Sequence, residues 1–280
     1  MTKLKKKIVR THAQKPIAAL FVGDLHVGSD TGLCIPGYKL PSKEDRPYPA
    51  STRQEWLYQK WNDLIKYAQE LSATHRVFLG IGGDAVDGVA HHDTTQTIGT
   101  YSDQEHMAAE LLKPLVALAD DAKGLLGTAA HVQDMGNADR NVLDMLRVDA
   151  RAMWRLDIGP RRLWWAHHGV SVGLRAWTDD SPMILLARDI YFRCMDEQRH
   201  KPDAIIGHDR HVAPEPISVK GISVGVCPCW QLGTYWGEGI SPFKHVTIGG
   251  LLWNVETNTI SIKSYFEERD ADVAFSAHRG

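Results

Sequence analysis

The sequence is poor in cysteine and has no surplus of charge, and each deficit excludes a class of function. Four cysteines in 280 residues (Cys34, Cys194, Cys227 and Cys229), irregularly spaced, make no disulfide framework, and the run CPC at 227–229 is not a zinc-binding CxxC pair. They read as reduced, structural thiols. With 32 Lys and Arg against 34 Asp and Glu, no overall field exists to hold nucleic acid or an anionic membrane, so any anion must be bound locally. No run of 18 apolar residues occurs, and the N-terminus lacks the apolar centre and small-residue cleavage site of a secretory signal. A cytoplasmic protein without membrane contact is expected. Linkers, internal repeats and low-complexity tracts are also missing. The expected organisation is a basic tail over 1–15, with Lys3, Lys5, Lys6, Lys7 and Arg10, followed by a single domain over 16–280.

What is present is an alternation of short apolar runs with segments of helical period. PIAALFVG (16–23) is nearly continuous in apolar residues, as in a strand buried on both faces. Between 51 and 72, Ser51 or Thr52 can cap a helix whose Leu57, Trp61, Leu64, Ala68 and Leu71 recur at spacings of three and four. RVFLGIGGDAVDG (76–88) predicts a second strand with a glycine-rich exit, 103–121 a helix kinked or broken at Pro114, and KGLLGTAAH (123–131) a third strand. A helix near 137–149, a strand through RRLWWAHHG (161–169), a helix over 182–198 and a strand at PDAIIGHDRH (202–211) follow, with β structure beyond. Strand–helix alternation predicts an α/β domain, and the late strands a second sheet packed on the first. The polar stretch 29–50, with Pro36, Pro41, Pro47 and Pro49, is too long for a plain connection and is expected to border a site.

Acids and histidines collect at the C-terminal ends of the predicted strands. They are Asp24 and His26; Asp84 and Asp87; His131; His167 and His168; His208 and His211. In open α/β sheets that edge is where ligands bind, so residues distant in sequence are expected to converge there. Mixed imidazole and carboxylate donors suit Mn, Fe or Zn, and a shared carboxylate can hold two such ions about 3.5–4 Å apart. Asp24 and His26 have the period-two spacing that points both side chains to one side of an extended chain. His167 and His168, if extended, must point to opposite faces, so at most one of them is expected to be a ligand. Each cluster alone has a plain structural reading as a turn or a hydrogen-bonded strand end; five in register with five strands do not.

The ordered series GDLHVG, GGDAVDG, GTAAH, HHG and GHDRH, over roughly residues 16–212, resembles the calcineurin-like metallophosphoesterases. The resemblance implies a four-layer α/β/β/α sandwich of two mixed sheets flanked by helices. It also implies two divalent metal ions and hydrolysis of a phosphate mono- or diester by hydroxide held on the metals. By the family pattern Asp24, His26 and His211 bind the first metal, Asp84 bridges, and His168 and His208 bind the second. His131 then serves as general acid or transition-state donor near the leaving group, with Asp87 orienting it.

Two motifs depart from that pattern. Where the family has GNH, with asparagine as ligand, GTAAH places Thr128, so Thr128 or Asn137 of the following GNAD is a candidate replacement. GHDRH has one residue too many between its histidines; a local bulge would restore convergence, whereas without one Asp209 or Arg210 faces the site instead of His211. The loop VAHHDTTQT (89–97) adds His91 and His92, which with Arg210 are candidate substrate contacts. The readings carried forward are a phosphoesterase of manganese, iron or zinc, a DNA-end nuclease of the same fold, and an impaired member of the fold that binds a protein partner.

Overall fold

The computed structural model describes residues 15–88, 98, 100–129, 138–173, 175–233 and 245–265, so residues 1–14 of the basic tail lie outside the described residues. Thirteen strands and four α-helices are described. In chain order the strands are β1 (Ile17–Val22), β2 (Lys39–Leu40), β3 (Arg46–Pro47), β4 (Arg76–Ile81), β5 (Asp121–Leu125), β6 (Asp149–Arg151) and β7 (Met153–Ile158). They continue with β8 (Arg161–Ala166), β9 (Ala204–Gly207), β10 (Ile217–Val219), β11 (Ile222–Val226), β12 (Gly249–Asn254) and β13 (Thr259–Ser264). The helices are α1 (Thr52–Thr74), α2 (Tyr101–Leu118), α3 (Ala138–Met145) and α4 (Ser181–Asp196).

Two mixed sheets result, in the orders β13-β12-β1-β4-β5-β6 and β10-β11-β9-β8-β7. In the first, β1, β4, β5 and β6 run parallel and β12 joins β1 antiparallel. In the second, β8, β9 and β11 run parallel, with β7 and β10 antiparallel at the edges. Side-chain alternation along each strand sorts the cores. Leu20 and Val22 of β1, with Leu79 and Ile81 of β4, meet Leu57, Trp61 and Leu64 of α1 and Leu111 and Leu112 of α2. The intervening Ala19, Phe21 and Phe78 face the other way and meet Leu163, Trp165, Ala204 and Ile206 of the second sheet. On that sheet's outer face Ile205, Val224 and Val226 pack on Met183 and Ala187 of α4. The layers are therefore helix, sheet, sheet, helix, as the resemblance implies.

Local chemistry places the elements. Ser51 caps α1 in a reciprocal capping box with Gln54, and the expected apolar stripe of α1 is buried. The side chain of Gln54 also donates to the carbonyls of Ser29 and Gly32, tying the long polar stretch to α1. That stretch contains the short β2–β3 pair rather than being irregular throughout. Helix α2 runs through Pro114 instead of breaking there, because the helix is anchored along its length by Met107, Ala108, Leu111, Leu112 and Leu115. No described helix is long and apolar enough to cross a membrane.

The parallel strands β1, β4, β5, β8 and β9 deliver their C-terminal ends to one edge of the sandwich. Because β1 and β4 pair in step from Ile17–Arg76 to Val22–Ile81, they end side by side. Their exits go on pairing past the strands: the N–H groups of Asp24, His26 and Val27 donate to the carbonyls of Gly83, Asp84 and Ala85 at 3.0, 3.0 and 3.1 Å.

Candidate metal centre

Five non-glycine residues at this edge have left-handed backbone: Asp24 (φ 52°), His26 (46°), Asp84 (56°), Asp209 (74°) and His211 (55°). Such conformations are rare and persist where surrounding structure enforces them, which is common at functional sites. They correct the expectation of an extended chain at Asp24 and His26. The two side chains share a side because each residue turns left-handed and its N–H is held by the β4 exit. The same device resolves GHDRH. With Asp209 and His211 both left-handed, the extra residue is absorbed and His211 turns in, its Nε2 reaching 3.1 Å from His26 Nε2.

Asp84 is buried where two strand exits touch. A side chain at Gly83 would strike the backbone of Gly127 at 2.1 Å, so glycine at 83 is what lets the β4 and β5 exits meet. Across that contact Thr128 donates twice to Asp84, from its backbone N to Oδ1 (2.7 Å) and from its hydroxyl to Oδ2 (2.9 Å). His26 is oriented from behind, its Nδ1 3.3 Å from Asp87 Oδ1.

Two expected donors, His168 and His208, are placed differently from the family pattern, and His167 takes a position that the pattern did not give it. His167 is the histidine of the HH pair that turns inward, 1% exposed, with Nε2 3.1 Å from Asp84 Oδ2. His168 projects outward, its side chain 53% exposed, with Nδ1 3.4 Å from Asp209 Oδ2 and Nε2 3.5 Å from the Thr128 hydroxyl. His208 is fully enclosed behind Asp24 and accepts the Trp165 indole N–H on Nε2 at 3.0 Å. Arg210 lies beside Asp209, 45% exposed, with Nε 3.5 Å from its carboxylate. His91, His92, His131 and Asn137 lie outside the described residues.

Two acids were not read as site residues from the pattern. Asp139, 1% exposed at the start of α3, accepts backbone N–H groups of Asp84, Ala85 and Gly127 at 3.1, 2.9 and 2.7 Å, clamping the β4 and β5 exits together. Its only sequence signal is an acid in the first turn of a helix, where a carboxylate is ordinary. Asp209 became visible only as the alternative to His211.

The site's electrostatics follow from burying this many charges together. Burial opposes protonation of His167, but its hydrogen bond to Asp84 and the charges of Asp24 and Asp84 prevail and raise it to about 9. His26 is raised in the same way, burial being outweighed by Asp87 and Asp84. Burial and the neighbouring His26 push His211 down to about 4. Burial would raise Asp24, but His208 and the charges of His167 and His211 hold it below the ordinary carboxylate value. Burial and the Asp84 carboxylate lift Asp139 to about 6 despite its three backbone donors.

Donors gather in overlapping groups, each with ligand atoms within 4.8 Å of one another. They are Asp24, His26 and His211; Asp24, Asp84 and His167; and, at the rim, His167, His168 and Asp209. The Nε2 atoms of His26 and His211 face each other at 3.1 Å, a contact that repels unless a proton or a cation lies between their lone pairs. Buried Asp24 Oδ2 and His167 Nδ1 have no hydrogen-bond partner. Such a donor set, three carboxylates and four imidazoles, fits divalent cations of intermediate softness.

Two face-to-face mixed sheets, a helical layer on each outer side, and acids with imidazoles at one strand edge are now all in place. The fold is a four-layer α/β/β/α sandwich of two mixed sheets. A scan against protein-family models finds no match. A search of curated protein sequences likewise finds none. Among solved structures the chain is similar to an archaeal phosphodiesterase, at 8% identity and a TM-score of 0.41, covering 89% of this chain and 99% of that one. It is similar also to the zinc-complexed Vps29 of Entamoeba histolytica, at 13% identity and TM-score 0.41, covering 89% and 97%. A predicted phosphoesterase of Streptococcus pneumoniae matches at 4% identity and TM-score 0.34, covering 89% and 97%.

Proposed function

We propose that the chain is a metal-dependent phosphoric ester hydrolase that cleaves a phosphate mono- or diester at a centre of two divalent cations. The observation that carries this reading is the pair of donor groups sharing Asp24, one completed by His26 and His211, the other by Asp84 and His167. Bound there, Mn, Fe or Zn ions would supply Lewis acidity to phosphoryl oxygens and a nucleophilic water at neutral pH.

The chain's own residues have separable tasks. Asp87 occupies His26 Nδ1 and leaves Nε2 for the centre. Thr128 holds both oxygens of Asp84, taking the place of an amide ligand as an orienting donor. His168 and Arg210, exposed at the rim and each tied to Asp209, meet the oxygens of the incoming phosphate. His131 is the proton donor to the leaving group on the sequence pattern. His91 and His92 are candidate substrate contacts on the same sequence basis.

Hydrolysis of p-nitrophenyl phosphate and bis-p-nitrophenyl phosphate, with Mn, Fe, Co, Zn, Mg or Ni supplied in turn, tests the reading. Turnover with at least one metal, lost together with bound metal in Asp84→Ala, is expected. No turnover with any of them removes the catalytic reading and leaves the partner-binding one. Metal-dependent degradation of DNA oligomers would narrow the substrate to nucleic acid.

A further inference from the structure

Helix α4 turns toward solvent an apolar face that its own sheet does not use. Met183, Ala187 and Cys194 are its buried row, and the first two pack on Ile205, Val224 and Val226 of the second sheet. On the other side of the same helix Leu185, Phe192 and Met195 are 64%, 55% and 61% exposed. At 3.6 residues per turn, Leu185 and Phe192 lie diametrically opposite the buried row. Trp177, in the short turn that leads into α4, is 76% exposed. Four of the six large apolar side chains exposed among the described residues therefore fall within 177–195. Single exposed apolar residues are ordinary, but a concentration of them rimmed by charges marks a surface that meets another protein.

The order of side chains on this face says what covers it. Leu185, Arg188, Phe192 and Met195 follow one another at spacings of three, four and three, the seam of a helix that packs against a second helix. Arg188 interrupts the seam at its middle and has no ion pair among the described residues. Beside it Asp189 accepts Arg193 Nε at 3.0 Å, one turn on, and its side chain stays 51% exposed. A cation next to an acid at the centre of an apolar stripe is complementary to itself under a two-fold rotation. Turned end for end about an axis between residues 188 and 189, a second α4 sets the partner's Phe192 against Leu185. The same rotation sets the partner's Asp189 against Arg188 and the partner's Pro182 against Met195, and every contact is made twice. A parallel copy would set Arg188 against itself.

We infer that the outer face of α4 is a self-association surface, on which two copies of this chain pair α4 against α4, antiparallel, about that axis. Leu185 and Phe192 supply the attraction, and Arg188 with Asp189 fixes direction and register. None of the donors of the candidate metal centre lies on α4, so the dimer and the proposed hydrolase stand or fall separately.

Sedimentation of the full chain over a range of concentrations tests the contact. The wild type should pass from 31.3 kDa to twice that mass as concentration rises. Leu185→Ser and Phe192→Ser each remove two apolar contacts per dimer and should weaken association about 100-fold. Arg188→Asp and Asp189→Arg each create two like-charge contacts and should weaken it about 10-fold, whereas mixing these two variants should restore it to within about 3-fold of the wild type. All four side chains are exposed, so the diluted variants should unfold in urea as the wild-type monomer does. A wild type of single-chain mass at every concentration would overturn the contact, as would a dimer indifferent to Leu185→Ser and Phe192→Ser. Charge variants that fail to pair with each other would overturn the two-fold, antiparallel register.

Discussion

Raising the pH of the metal-free protein should weaken it through His167. That imidazole is 1% exposed, lies 3.1 Å from Asp84 Oδ2 and 4.0 Å from Asp24 Oδ1, and stands where a cation would neutralise the two acids. Its pKa rises from the ordinary 6.5 to about 9. The folded state therefore binds the proton more tightly than the unfolded chain does. The stabilisation is fully present below about pH 6.5 and is lost as pH climbs through about 9. A rise of roughly 2.5 units at 1.36 kcal/mol each makes the loss about 3 kcal/mol. Urea unfolding of the metal-free protein at several pH values from 6.5 to 10, beside His167→Gln, measures it. The wild type should lose stability across that range and the variant should show a much flatter profile. A wild-type profile that is level from pH 6.5 to 10, or a variant with the same slope, would refute the assignment. A divalent cation must displace the same proton, so its uptake at pH 7.5 should release about one proton, readable by calorimetry in buffers of different ionisation enthalpy.

Thr128→Val removes the hydroxyl donated to Asp84 Oδ2 and keeps the backbone N–H to Oδ1, so metal affinity should fall about 10-fold while the melting temperature changes little; unchanged affinity in a Mn titration would show that the hydroxyl does not orient Asp84. Trp61→Ala should cost about 3–5 kcal/mol in denaturant unfolding, because Trp61 is buried, meets Trp230 edge to face at 4.8 Å and donates to the Leu111 carbonyl, joining α1 to α2. A cost below about 1 kcal/mol would mean that the helical layer is not held through this side chain.

The sequence by itself determined the fold class and the edge on which the site lies. Buried parallel strands advertise themselves as apolar runs, and whatever follows each run must emerge at the same edge, so Asp24, His26, Asp84, Asp87, His131, His167, His168, His208 and His211 could be named as candidates before any contact was known, whereas Thr128 was named only through the family resemblance. The stripe of α1 and the cap at Ser51 were legible for the same reason, being set by local period and local hydrogen bonding. Only the tertiary structure decided which way each side chain faces. Five left-handed residues turn where alternation along an extended chain would have been assumed, and they depend on backbone bonds between exits that are distant in sequence. That is why His211 enters despite the extra residue in GHDRH and why Asp139, locally no more than an acid in the first turn of α3, clamps two strand exits. Whether His167 or His168 turns inward, and whether His208 faces the donors or stands behind Asp24, is likewise set by partners distant in sequence. Asp84 is 83 residues from His167, and Trp165 is 43 from His208, separations over which sequence pattern carries no directional information.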